Sequence, residues 1–142
     1  MRDAPDGSPR RWRVALVAHD AKKAALVAFA LRHREQFSSW ELLASASTGE
    51  AIREALGLRL RSVLPGPHGG DVQIGAEMVA GEIDALIFLR DPLTAQSHEP
   101  DVAMLLRVAD IHNVAVATNL ATAECLARAL APERHALAPR RV

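Results

Sequence analysis

The chain has 142 residues, 49% of them hydrophobic and 24% charged, which suffices for one globular domain with a core but not for two. Its 17 basic and 17 acidic side chains cancel, so no overall charge favours nucleic acid or a membrane surface, and any anion must be bound locally. The single cysteine, Cys125, excludes an internal disulfide and a cysteine-built metal site, and fits a cytoplasmic protein.

Short apolar runs alternate with segments of helical periodicity along the chain. Strand–helix alternation with short links predicts an α/β fold in a single domain. We expect a five-stranded, mostly parallel, twisted sheet with helices on both faces, a Rossmann-like three-layer arrangement. The predicted strands are 13–18, 41–45, 58–64 (at an edge), 84–89 and 114–118; the predicted helices are 21–36, 50–56, 71–81, 101–112 and 121–130.

The two ends of the chain differ in composition from the middle. Residues 1–12 are mostly polar, and no long apolar segment follows Arg10 and Arg11, so they do not read as a signal peptide. We expect a flexible leader over 1–12, the folded domain over 13–131 and a C-terminal tail over 132–142.

Polar motifs follow the end of each predicted strand. In a parallel sheet these positions meet at the carboxyl edge, where such folds bind their ligands. The opposite edge carries little that looks chemical, so the pattern predicts one site at the carboxyl edge. The motifs are His19-Asp20, Ser47-Thr48-Gly49, Gly66 through Asp71, Asp91 through Asp101, and Thr118-Asn119.

The loop from Pro65 to Asp71 contains three glycines and two prolines and ends where a helix is predicted to begin. Glycines ahead of a helix let backbone N–H groups approach an anion closely. Taken alone, the pattern is more typical of a turn with a capping aspartate. The motifs around it favour a ligand site instead.

The only lysines, Lys22 and Lys23, begin a predicted helix, where positive charge opposes the macrodipole unless an anion compensates. Ser47 and Thr48 add hydroxyl groups at the start of another helix. Each pair has a plainer explanation, as a solvated helix face or a helix cap. Because neither GxGxxG nor GxxxxGK[ST] occurs, a small phosphorylated metabolite fits better than a nucleotide.

Several carboxylates and two imidazoles at one edge can divide into acid, base and electrophile. A metal is the competing use, but no His-x3-His spacing occurs, so we expect no metal and no cofactor. Structural explanations also exist, for example Asp101 as a helix cap, Asp91 in a turn and His98 in an exposed loop. The candidates are Asp20, Asp71, Asp91, Asp101, His19 and His98.

These motifs resemble those of the methylglyoxal synthase family, over about Val14 to Thr122. Two blocks are specific: Gly69-Gly70-Asp71 with Gln73 and Gly75-Ala76, and Asp91-Pro92-Leu93 followed by His98-x-Pro100-Asp101. The resemblance implies the methylglyoxal synthase-like fold and conversion of dihydroxyacetone phosphate to methylglyoxal and inorganic phosphate. It also implies a carbon–oxygen lyase of a glycolytic bypass, a homohexamer, phosphate as product and inhibitor, and no metal. The alternative is a non-catalytic regulatory domain of the same fold that binds a phosphorylated metabolite.

The resemblance also implies residue roles. Asp71 would be the base that removes a C3 proton, and His98 would polarise the carbonyl. Substrate and phosphate would be surrounded by His19, Lys23, Ser45, Ser47, Thr48 and Gly66, with Asp20, Asp91 and Asp101 as supporting carboxylates.

The chain departs from the family pattern at four places. Ala46 stands where glycine is usual, and would be strained if φ were positive there. Pro65 replaces a serine and so lacks a hydroxyl and an N–H. His68 replaces an apolar residue. The chain also ends soon after Arg140 and Arg141, whereas some members of the family extend further and place an arginine from a neighbouring subunit near the phosphate.

Overall fold

The computed structural model describes residues 11–132, and its strands form one sheet. They are β1 (Arg13–Ala18), β2 (Glu41–Ser45), β3 (Arg61–Val63), β4 (Ala85–Leu89) and β5 (Ala115–Ala117). Their order is β3-β2-β1-β4-β5, and every neighbouring pair is parallel. The predicted α/β fold is therefore confirmed, with a sheet that is wholly rather than mostly parallel.

Helices connect the strands within the described range. They are α1 (Lys23–Arg32), α2 (Arg34–Ser39), α3 (Ala46–Leu56), α4 (Gly70–Val79), α5 (Glu99–Ile111) and α6 (Leu120–Ala129), with short 3-10 turns at Asp20–Lys22 and Gly66–His68.

The sheet is buried on both faces, as parallel sheets require. Alternate residues of β1 belong to two separate apolar clusters. Val14 and Leu16 pack with side chains of α1, α2, α3 and α6, whereas Ala15 and Val17 pack with those of α4 and α5. The helices thus cover both faces, which gives the predicted three layers.

The boundaries of β1 and β2 are those predicted, but the prediction of one helix over 21–36 is wrong. A 3-10 turn is followed by α1 and α2, which are separated at His33 (φ −114°, ψ 35°). His33 Nε2 lies 2.6 Å from Glu124 Oε2 on α6. The break thus coincides with a contact to a helix some 90 residues away in sequence.

Three helix starts also differ from prediction. Ser47-Thr48-Gly49 lie inside α3, which begins at Ala46, and Asp101 is the third residue of α5 rather than its cap. Asp71 lies in the first turn of α4 and caps nothing. Ala46 is helical, and Asn113 is the one non-glycine residue with positive φ among those described, so Ala46 carries none of the expected strain. The edge strand β3 is shorter than predicted.

The folded part begins before residue 13. Trp12, which the prediction assigned to the leader, is 5% exposed and packs in the core. Arg11 donates to the backbone carbonyls of Ser38, Ser39 and Trp40. The remaining leader residues, 1–10, and residues 133–142 of the tail, with Arg140 and Arg141, lie outside the described residues. Within 11–132, no helix has the length and apolarity to cross a bilayer.

The loop between β3 and α4 is held by close backbone packing. A β-carbon on Gly70 would lie 1.9 Å from the carbonyl oxygen of Leu64, so only glycine fits there. The Gly70 N–H donates to the carbonyl of Pro65 at 3.1 Å, and Gly69 before it has φ +104°. These features bring the loop against the first turn of α4.

Gly70→Ala is expected to lower the free energy of unfolding by about 3 kcal/mol, since the methyl group meets backbone that cannot rotate away. Gly57→Ala is the matched control, because Gly57 has φ +68° with nothing within 4 Å of a β-carbon. It should cost only about 1–2 kcal/mol, from the left-handed conformation alone. Equal losses in urea unfolding of the two variants would contradict the close packing at Gly70.

Candidate active site

Asp71 is a fully buried carboxylate, with 0% of the residue exposed, in the first turn of α4. Neither of its oxygens has a hydrogen-bond partner among the described residues. Burial raises the pKa of Asp71 above its ordinary value of 3.8; His98 lowers this pKa and Asp101 raises it. A carboxylate held this way binds a proton more readily than an exposed one, as a general base requires.

His98 and Gly66 lie against this carboxylate. His98, at the start of α5, has Nε2 3.5 Å from Asp71 Oδ2, and its buried Nδ1 has no partner in the described chain. A β-carbon on Gly66 would lie 3.2 Å from His98 Nε2 and 3.4 Å from Asp71 Oδ1. Gly66 therefore faces both groups, and its missing side chain leaves space beside them.

His19 follows β1 and is 5% exposed. Its Nδ1 accepts a hydrogen bond from the Asp91 backbone N–H at 2.9 Å, so in the neutral ring the proton is on Nε2. That Nε2 is buried and has no partner within residues 11–132. Burial, and next the neighbouring His98, lower the pKa of His19, which favours the neutral donor. The two imidazole rings meet edge to face, with centroids 5.7 Å apart.

The hydroxyl groups at the start of α3 are joined to the end of β1. Thr48 Oγ1 accepts from the Ala18 N–H at 3.3 Å and from Ser45 Oγ at 3.0 Å, and both residues are buried. Ser47 is exposed in the first turn of α3. The N-cap residue Ser45 makes no side-chain capping bond, so backbone N–H groups of the first turn remain available to an anion.

Lys23 begins α1, and its Nζ donates to Asp20 Oδ1 at 2.5 Å. The Lys23 side chain is 20% exposed, whereas that of Asp20 is fully exposed. The hydrogen bond from Lys23 and its positive charge lower the pKa of Asp20, so this carboxylate stays ionised at neutral pH. The pair lies beside His19 in sequence, outside the buried group formed by Asp71 and His98.

The other two predicted carboxylates have different surroundings. Asp91 Oδ1 accepts from the Leu93 N–H at 3.1 Å, and hydrogen bonds from Thr94 and Leu93 lower the pKa of Asp91. Its side chain is bonded within its own loop, and its contact with His19 is made by its backbone N–H. Asp101 acts on the site through its charge, because it contributes to the raised pKa of Asp71.

Two contacts of the site were missed in the sequence. Phe88 packs its ring edge to face against His19, with centroids 5.2 Å apart, and Arg90 contributes to the lowered pKa of His19. Nε of Arg90 is buried without a partner in the described chain. The sequence contained one indication of these contacts. Side chains alternate along a strand, so residues 88 and 90 lie on the same face of β4 and its continuation. In the apolar run of β4, Phe88 reads simply as core.

The buried group formed by His19, Gly66, Asp71 and His98 thus combines a base of raised pKa with two imidazoles. Buried polar atoms normally have hydrogen-bond partners, so the four unpartnered atoms on Asp71, His19 and His98 indicate a place where a ligand bonds. Within the described residues no group of three or more His, Cys, Asp or Glu side chains is arranged to hold a metal ion. The arrangement suits proton transfer on a small polar substrate.

Comparison with known proteins gives a consistent result. Residues 25–118 match the family model described as MGS-like domain. The methylglyoxal synthase of Cupriavidus taiwanensis is 51% identical over 128 residues, which cover 90% of this chain and 96% of the relative. That of Carboxydothermus hydrogenoformans is 57% identical over 118 residues, covering 83% of this chain and 98% of the relative.

A solved structure agrees with these relatives. The crystal structure of methylglyoxal synthase from Elizabethkingia anophelis NUHP1 is similar with a TM-score of 0.78 and 38% identity. The match covers 82% of this chain and 77% of that one. Similarity therefore extends through the sheet and the helices that carry the buried group.

Asp71→Asn is expected to raise the free energy of unfolding at neutral pH by roughly 1 kcal/mol, because it removes a buried charge that no described residue hydrogen-bonds. The folded-state pKa of Asp71 is raised, so ionisation costs the wild type stability as pH rises through that pKa. The greater stability of Asp71→Asn relative to wild type should therefore diminish as pH falls below the folded-state pKa of Asp71.

Urea unfolding of both proteins between about pH 4 and pH 8 measures this difference. Asp110→Asn, on the exposed surface of α5, is the matched control and should change stability little at any pH. An Asp71→Asn variant that is less stable than wild type at neutral pH would contradict the assignment of a costly buried charge.

Proposed function

The chain belongs to the methylglyoxal synthase family, and we propose that it converts dihydroxyacetone phosphate into methylglyoxal and inorganic phosphate. The reaction would make it a carbon–oxygen lyase that acts on a phosphate ester. The observation that carries the proposal is the Asp71 carboxylate, which has no hydrogen-bond partner in the described part of the chain, lies 3.5 Å from His98 Nε2 and faces Gly66.

In the first step Asp71 accepts the proton from C3 of the substrate, and the electron pair moves into an enediolate. Its raised pKa supports this role, because a base works best when its pKa approaches the operating pH. Gly66 leaves the substrate carbon room to approach the carboxylate.

The developing negative charge on the carbonyl oxygen requires hydrogen-bond donors. His98 lies next to Asp71, and the Nε2–H of neutral His19 is a second donor whose ring the Asp91 N–H fixes in place. Donors oriented before the reaction stabilise the enediolate without reorganisation. We assign polarisation of the carbonyl to His98 and substrate contact to His19.

The second step breaks the C–O bond to phosphate, and the resulting enol tautomerises to methylglyoxal. Expulsion needs that bond to lie perpendicular to the enediolate plane, so the phosphate must be held in a fixed position. The uncapped first turn of α3, with Ser45, Ser47 and Thr48, and the cation Lys23 are suited to this task. Inorganic phosphate that stays bound at this turn after the reaction would also inhibit the enzyme.

The three supporting carboxylates do not contact the substrate and act through other residues of the site. Asp20 orients Lys23 through their ion pair, Asp91 fixes the tautomer of His19 through its backbone, and Asp101 helps to raise the pKa of Asp71. None of these steps needs a metal or an organic cofactor.

A regulatory domain of the same fold would bind phosphate esters without turning them over. The buried base favours the enzyme, because binding an anionic ligand gains nothing from an ionised carboxylate without hydrogen bonds. The assay is incubation with dihydroxyacetone phosphate, with methylglyoxal trapped as a derivative and phosphate measured in parallel. Equal amounts of both products support the proposal, whereas binding without product would support the regulatory domain.

Asp71→Asn is expected to reduce turnover by about 100-fold or more, because the amide keeps the shape of the carboxylate but accepts no proton. Asp110→Asn, remote from the site, should turn over like the wild type. Near-normal turnover in the Asp71 variant would remove Asp71 from the role of base.

A further inference from the structure

Gln73 lies on the exposed side of α4 and has no part in the chemistry proposed above, yet it contacts the loop that carries Gly66. Its Oε1 accepts a hydrogen bond from the backbone N–H of Leu64 at 2.8 Å. Leu64 directly follows β3, and Gly66 is two residues further on. The side chain of Gln73 thus connects α4 to the segment that enters the loop.

The other hydrogen bonds of this loop join residues that are closer together in sequence. The carbonyl of Pro65 accepts from the N–H groups of His68 and Gly70, and the carbonyl of Gly66 accepts from Gly69. These bonds close the loop upon itself and upon the start of α4. The Gln73 bond joins the entering segment to a position further along the helix.

The side chain of Leu64 contributes little packing that would hold the segment leading from β3 into the loop. Leu64 is 51% exposed, and its residue neighbour Pro65 is exposed as well. The hydrogen bond of 2.8 Å from the Leu64 N–H to Gln73 Oε1 therefore restrains where this segment lies, together with the backbone packing of the Leu64 carbonyl against Gly70. Gly66 would contact Asp71 and His98 if it carried even a β-carbon, so a small shift of the segment changes the space beside the base.

We propose that Gln73 is a positioning residue, which holds Leu64 so that Gly66 stays at the correct distance from Asp71 and His98. The inference rests on the proposed function, because it names a further residue of the same reaction. Displacements well under an ångström are enough to slow a step that depends on near-attack geometry.

Two substitutions separate the acceptor from the rest of the side chain. Gln73→Met keeps the length of the chain and removes the acceptor, and should lower kcat/KM for dihydroxyacetone phosphate about three- to tenfold. Gln73→Glu keeps an acceptor oxygen at the same place and should stay within about twofold of wild type. Arg34→Met is the control: it removes a bond of the same length between a side chain and the backbone, in which Arg34 Nη2 donates to the Leu56 carbonyl at 2.8 Å, remote from the loop.

Amide hydrogen exchange and the Gly66 amide chemical shift, both followed by NMR, provide a readout that needs no turnover. In Gln73→Met the Leu64 amide should exchange faster and the Gly66 resonance should shift, whereas Gln73→Glu should resemble wild type. Unchanged kcat/KM in Gln73→Met, or an equal loss in Gln73→Glu, would overturn the inference. A wild type that forms no methylglyoxal would overturn the proposed function. The Gly66 resonance would still test the positioning role by itself, and an unmoved resonance in Gln73→Met would overturn that role.

Discussion

The site depends on one unfavourable feature, the complete burial of the Asp71 carboxylate without a hydrogen bond from any residue of 11–132. Burial of this kind destabilises the ionised form and raises the pKa of the group. The rest of the fold must therefore supply the stability that this group removes. Two buried apolar clusters, one on each face of the parallel sheet, do so, and the cluster that includes Ile74 and Leu105 holds α4 and α5 so that Asp71 and His98 meet.

The loop ahead of α4 delivers Asp71 to that position through backbone geometry. Gly70 allows the helix to begin against the carbonyl of Leu64, and Gly66 leaves space above the carboxylate. On the other face of the sheet, Thr48 bonds to the end of β1 next to His19, so the start of α3 is tied to the same edge. In the proposed reaction the base would thus lie on the side of the sheet that α4 covers, and the phosphate-binding turn of α3 on the side that α3 covers.

The fold could be predicted from sequence because β1 and β2 are short apolar runs bounded by polar residues, and both were placed to the residue. The helix starts could not. Ser47-Thr48-Gly49 is typical of a turn, but a β-carbon on Gly49 would lie 2.8 Å from Leu60, so tertiary packing decides its place inside α3. The motif suggested the role proposed for Asp71, whereas its lack of hydrogen-bond partners among residues 11–132 and the tautomer of His19 depend on contacts between distant residues.

The pH dependence of kcat/KM for dihydroxyacetone phosphate tests the central claim most directly, because it reports the ionisation of the free enzyme's essential base. We predict an acidic limb whose midpoint lies above 3.8, the ordinary pKa of aspartate, as the raised pKa of buried Asp71 requires. Protonation of Asp71 on that limb removes the base and with it the activity. Full activity in a folded enzyme down to pH 3.8 would contradict the account, since a base with such a profile is not a buried carboxylate of raised pKa.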